Sequence, residues 1–120
     1  FGRVEGDNDF HLVDEDGYGA MRRIVDHLVE QGHRRFACIA EPTHFTKSHH
    51  RVQGFLDGLR AHRIPTENGL VVETHFRQRS GRLAASQLLG QEQPPTAIVA
   101  VNDLIAIGAV SAAQESGIVV

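Results

Sequence analysis

A polar pair, Asn102-Asp103, interrupts an apolar stretch in which Ala97-Ile98-Val99-Ala100-Val101 comes before it and Leu104, Ile105, Ile107, Ala109 and Val110 recur after it at helical spacing. The apolar run is too short for a helix and too apolar for a surface strand, so it predicts a buried parallel strand. In an open α/β sheet, ligands bind outside the carboxyl ends of the strands. An Asn at such a junction offers donors and an acceptor, an Asp acceptors only. The same pair also suits a plainer task, capping the helix by accepting a free first-turn amide, and adjacent residues can perform both.

Other residues with chemistry of this kind lie at comparable places. Arg51 falls in the first turn of a helix whose buried face is Val52, Phe55, Leu56 and Leu59, with Ser48 as its cap. A cation there opposes the helix dipole, so Arg51 is either exposed or paired with a carboxylate or a ligand. Phe76 follows a strand and either packs or stacks. Asp14-Glu15-Asp16 precede a helix, where carboxylates favour the positive end or reach a ligand. His44, His49 and His50 share one loop, but adjacent histidines point apart and no Cys or His-Glu-x-x-His spacing accompanies them, so no metal is expected.

Enzyme signatures are absent from the sequence. No Gly-x-Ser-x-Gly elbow, no Gly-x-Gly-x-x-Gly after a strand and no Gly-Lys-Ser/Thr phosphate loop occurs, and no cofactor is implied. An α/β enzyme using Asp14, Asp16 and a histidine such as His75 is the rival from another class, with no motif to specify its reaction. Asp, Arg, Asn and an aromatic ring suit a polyhydroxylated ligand, whose hydroxyls need fixed donors and acceptors and whose apolar face needs a flat partner.

Positioning these residues requires a sheet. The 120 residues, with net charge -3, 41% hydrophobic and 22% charged, are ordinary for one soluble globular domain. That balance does not indicate a basic surface for nucleic acid, so a part that touches DNA is expected outside these residues. Cys38 is alone, which excludes an internal disulfide, and no run approaches the roughly 18 to 20 apolar residues that cross a bilayer. The chain opens Phe-Gly-Arg without Met and reads as part of a longer protein.

In chain order, Phe10–Val13 reads as a short extended piece, and a helix follows Gly17 with Tyr18, Met21, Ile24, Val25, Leu28 and Val29 at helical spacing and Gly32 as its stop. A strand spans Phe36–Ala40, ending at Glu41-Pro42. Pro65 closes the next helical segment, and Gly69–Thr74 forms a strand ending at His75-Phe76. Ser80-Gly81 opens a helix with Leu83, Ala84, Leu88 and Leu89 as buried positions. Gly117 stops the last helix, and Ile118–Val120 reads as the start of a further strand. Strand and helix alternate, which predicts an open parallel sheet covered on both faces. Glu41, Phe76 and Asn102 stand at the carboxyl ends of its three clear strands, so their loops open on one rim.

Gly32-His33-Arg34-Arg35 before a strand, Arg51-Val52-Gln53-Gly54-Phe55 opening a helix, and Pro94-Pro95-Thr96-Ala97-Ile98 running into Asn102-Asp103-Leu104-Ile105-Ala106-Ile107-Gly108-Ala109 resemble the LacI/GalR transcriptional regulators. The resemblance covers about residues 13 to 120. It implies that residues 14–120 are the C-terminal lobe of an effector-binding domain similar to periplasmic sugar-binding proteins, truncated at its C-terminal end, with residues 1–13 the end of the N-terminal lobe and crossover. A helix-turn-helix domain upstream would bind operator DNA, and a small effector, a sugar or sugar derivative, would shift the DNA affinity of a cytoplasmic homodimer. By position, Arg51 matches the family's ligand-binding Arg and Asn102 its ligand-binding Asn. Phe76 falls at its stacking aromatic and Asp16 near its acidic contact. Phe45 and Lys47 fall in a loop that contacts effector in some members, with Lys47 where a small polar residue is common. A further acidic contact would lie beyond Val120. The alternative with the same lobe is an exported, transport-linked sugar-binding protein without a DNA-binding domain.

Overall fold

Seven elements follow one another in a computed structural model that describes residues 17–42, 46–67, 70–74 and 78–120. The readings placed on Phe10–Val13, Asp14–Asp16, His44, Phe45, Gly69, His75 and Phe76 lie outside the described residues. Helix α1 (Gly17–Glu30) buries Ala20, Met21 and Val25, with Ile24, Leu28 and Val29 packed at the margin of the core. Its chain reverses at Gly32, whose φ of +99° is open to glycine at little cost.

Strand β1 (Phe36–Ala40) is buried at every residue, as a central strand covered on both faces must be. Helix α2 (Thr46–Ala61) leads to strand β2 (Val71–Glu73), and helix α3 (Gln78–Leu89) to strand β3 (Ala97–Ala100), which feeds helix α4 (Asp103–Glu115). The sheet order is β2-β1-β3, all parallel, with Cys38 paired to Val71 on one side and Val99 on the other. The crossover through α2 and the crossover through α3 run in opposite directions across the sheet. Right-handed connections therefore place them on opposite faces, where α1 packs beside α2 and α4 beside α3.

Two glycines let these helix pairs approach. A Cβ on Gly54 of α2 would run into the backbone carbonyl of Tyr18 on α1, and one on Gly81 of α3 would sit 2.7 Å from the carbonyl oxygen of Ile105 on α4. The core between the layers is built from Phe36, Ile39, Phe55, Leu59, Leu88 and Ile105, among others, and the rings of Phe36 and Phe55 meet edge to face at 6.3 Å.

Several helix boundaries and faces differ from the sequence reading. Helix α2 starts at Thr46, so Ser48 is inside it and not its cap, and Arg51 lies beyond the first turn, where the dipole penalty has faded. Helix α3 starts at Gln78, so Gly81 is an internal contact point and not an opening. Leu83, a buried position in the sequence pattern, is 59% exposed, because α3 turns Gly81, Ala84, Ala85 and Leu88 inward. Leu104 and Ile107 of α4 are likewise 50% and 49% exposed, while Ile105 and Ala112 fill the core. Strand β2 is shorter than Gly69–Thr74, with Val71 and Val72 only half-buried, as befits an edge. Ile118–Val120 form no strand; Ile118 instead donates its amide to the Ala113 carbonyl at 2.9 Å, completing the turn after α4.

Candidate functional site

Strands β1 and β3 end side by side, and the ladder continues past them through the Val101 amide, which donates to the Ile39 carbonyl at 3.2 Å. This pairing carries Glu41 and Asn102, 61 residues apart in sequence, to one rim at the carboxyl edge of the sheet.

Asn102 is the N-cap of α4, with extended backbone at φ -149° and ψ 169°. Its Oδ1 accepts from the Ile105 amide at 2.9 Å, and its Nδ2 donates to Glu41 Oε2 at 3.1 Å. Each of these bonds alone would fix which way the amide faces, and both demand the same orientation. The capping role and the rim position thus coexist in one residue.

Glu41 is only 7% exposed, an uncommon place for a carboxylate. Its backbone carbonyl accepts from the hydroxyl of fully buried Ser48 at 3.0 Å. That bond ties the first turn of α2 to the end of β1. One turn further on, Arg51 reaches back to the rim and donates from Nη1 to the Val101 carbonyl at 3.2 Å. Its aliphatic stem lies against Gly17 at the start of α1, where a Cβ would come within 2.8 Å of Arg51 Cγ. The guanidinium is therefore held by contacts at both its stem and its head.

Arg51 and Asn102 are brought together, joined through Val101. Lys47 is exposed on the first turn of α2. Phe76, Asp16 and Phe45 lie outside the described residues. As a strand end Glu41 stands on the rim in the sequence pattern, which assigns it no role of its own. Its signal was an acidic residue closing an apolar run just before Pro42. With Glu41 included, the rim presents a cation, an anion and a neutral amide around one backbone junction, which can bind hydroxyls as both donors and acceptors.

Other polar groups lie apart from the rim. On the outer side of α1 and α2, Tyr18 donates to Asp57 Oδ2 at 2.7 Å and, with the nearby Arg60 and Arg22, holds the Asp57 carboxyl below its usual range. Among the described residues no cluster of three or more His, Cys, Asp or Glu side chains is placed to hold a metal ion. A groove of about 500 Å³ runs along the open edge of β3 past Ile24, Leu28, Ala109 and Val110. It is apolar and contains neither Arg51 nor Asn102, so its size does not make it the recognition site.

The family model of the periplasmic binding protein-like domain matches residues 25–120. The chain belongs to this family. Within it, the chain is 38% identical over 103 residues to the HTH-type transcriptional repressor CytR of Escherichia coli (strain K12), an alignment covering 86% of this chain and 30% of that protein. It is similar in structure to a regulatory protein of the LacI family from Chloroflexus aggregans, at TM-score 0.83 and 36% identity over 86% of this chain and 37% of the other. The transcriptional regulator CelR in complex with cellobiose matches at TM-score 0.82 and 32% identity, over 88% of this chain and 32% of that one. The LacI-type resemblance carried by the motifs around Arg51 and Asn102 is borne out by these relatives, and the fold is periplasmic-binding-protein-like. The chain spans 30% of the length of the curated relatives it first matches. No helix among the described residues is long and apolar enough to cross a membrane.

Proposed function

We propose that this periplasmic binding protein-like domain is the C-terminal lobe, residues 14–120, of the effector-binding domain of a LacI-type transcriptional regulator, with residues 1–13 leading out of the N-terminal lobe. A small effector, a sugar or sugar derivative, binds at the rim formed by Arg51, Asn102 and Glu41, with Phe76 and Asp16 completing the site and Phe45 and Lys47 bordering it. The domain acts by binding and does not turn its ligand over. Effector bound between two lobes favours one lobe arrangement by its differential affinity, and a cytoplasmic homodimer transmits that preference to operator DNA held by an upstream domain.

The observation that carries this reading is the meeting of Arg51 and Asn102 at Val101, at the strand ends where open α/β sheets take ligands. The relatives support the regulatory part, since CytR is a transcriptional repressor and CelR is a transcriptional regulator in complex with cellobiose. The test is thermal stability of the full-length protein against sugars, sugar acids, sugar phosphates and nucleobases, with Arg51→Ala and Asn102→Ala alongside. A ligand at a hundred times its dissociation constant adds about 2.7 kcal/mol of stability. A compound that stabilises the parent and neither variant supports the site; a compound that stabilises all three alike refutes it.

A further inference from the structure

We propose that Glu41 sets the charge class of the ligand, making the rim selective for a neutral, hydroxyl-bearing molecule over its phosphorylated or carboxylated counterpart. The inference rests on the effector reading of the rim and adds what that reading leaves open.

Arg51 by itself would draw anions, because a guanidinium forks onto phosphate and carboxylate oxygens. In this structure it does not act alone. Its Nη1 donates to the carbonyl of Val101, and the next residue, Asn102, donates its side-chain amide to the Glu41 carboxylate at 3.1 Å. A positive and a negative group therefore flank a single backbone junction and cancel in net charge. An incoming phosphate would meet repulsion from Glu41 together with attraction to Arg51. Solvent screens that repulsion less than it would at the surface, because Glu41 is 7% exposed.

A hydroxyl group faces the opposite balance. It donates and accepts at once, so adjacent hydroxyls can give a hydrogen bond to a carboxylate oxygen and take one from Arg51 or from the second hydrogen of the Asn102 amide. Glu41 also keeps that amide facing the rim with its donor side, since an ionised carboxylate only accepts. The Ser48 bond to the Glu41 backbone holds the residue in place regardless of its side-chain charge, so Glu41→Gln is expected to fold.

The experiment measures binding to the full-length protein by calorimetry for matched pairs, ribose with ribose 5-phosphate, glucose with glucose 6-phosphate and adenosine with its 5′-monophosphate, and for inorganic phosphate alone. The parent should prefer the neutral member of a bound pair and show no Arg51-dependent binding of inorganic phosphate. Glu41→Gln should shift the neutral-to-phosphorylated ratio by roughly tenfold, about 1.4 kcal/mol, and gain phosphate binding that Arg51→Ala abolishes. Glu41→Asp, which keeps the charge, should retain the parental preference. Equal weakening of both members in Glu41→Gln, with no gain of phosphate binding, would show a purely structural role and overturn the proposal while leaving the rim as the effector site. A parent that prefers the phosphorylated member overturns it as well. Binding indifferent to both Arg51→Ala and Glu41→Gln places the ligand elsewhere and defeats the effector reading with it.

Discussion

In the site proposed above, Arg51 and Asn102 would carry different shares of stability and recognition, and the difference is measurable. If the proposed site is right, Arg51, a charged donor on a half-buried residue, gives the ligand a charge-assisted bond, and Arg51→Ala should cost about 1.5–3 kcal/mol of binding while the unfolding midpoint moves little. Isothermal titration and thermal unfolding of the same variant check both halves. Asn102→Ala deletes a cap, at about 1 kcal/mol, and also leaves the Glu41 carboxylate without the bond seen at 3.1 Å. Asn102→Ser restores a capping oxygen but not the amide donor, so part of the stability should return while ligand affinity does not. A parallel recovery of both would mean that Asn102 is only a cap. Cys38 is a separate case: burial in the central strand pushes its thiol up from 9.0 to about 12. The protonated thiol is favoured in the folded protein, so this stability is fully present below pH 9 and is lost as pH rises toward 12, at about 1.4 kcal/mol per pH unit. Denaturant titrations at pH 7 and pH 10, with Cys38→Ala as reference, should show a loss in the parent that the reference lacks.

At the scale of elements, each helix pair has one glycine at which an added Cβ would meet the neighbouring helix's backbone, Gly54 and Gly81. Gly54→Ala pushes a methyl into the Tyr18 carbonyl and Gly81→Ala one into the backbone at Ile105, and overpacking of this kind costs about 1–3 kcal/mol. Both variants should lower the urea midpoint, whereas Gly90→Ala, whose nearest neighbour would lie at 3.3 Å, should cost less. The strands were legible in the sequence because β1 is buried at every residue and β3, though at an edge, buries Ala97 and Val99 and keeps Ile98 and Ala100 half-covered, so both appear as unbroken apolar runs. Strand β2 was overextended because an edge strand is half-buried and its limits are set by pairing, not by pattern. Helix starts failed for a different reason. Ser48 looks like a cap in sequence, yet its hydroxyl is spent on the Glu41 carbonyl, a partner that only the tertiary fold supplies. The same holds for the site: Asn102 announced itself at a strand-to-helix junction, whereas the role of Glu41 depends on an amide 61 residues away.

At the scale of the whole molecule, the apolar side chains left outside the core bear on assembly. Leu104 and Ile107 stand one turn apart on α4, and Leu83 lies on α3, the helix packed beside it; all three are about half exposed or more. Helical spacing alone does not bury them, and their exposure leaves them available to another surface. In the homodimer proposed above, a second copy is the covering surface, and a two-fold arrangement needs only that the patch be complementary to itself. Each such side chain withdrawn from water contributes about 1.5–3 kcal/mol at full burial, so a charge on the patch should be decisive. Ile107→Lys in the full-length protein should therefore sediment as a monomer at concentrations where the parent is a dimer. Its circular dichroism and unfolding midpoint should stay close to the parent's, because Ile107 gives little to the core. On the proposed function, ligand affinity at the rim should survive, since Arg51 and Asn102 are untouched, but operator binding should fall, since the upstream DNA-binding domains proposed there would no longer be paired. A variant that remains dimeric would move the interface off this face of α3 and α4.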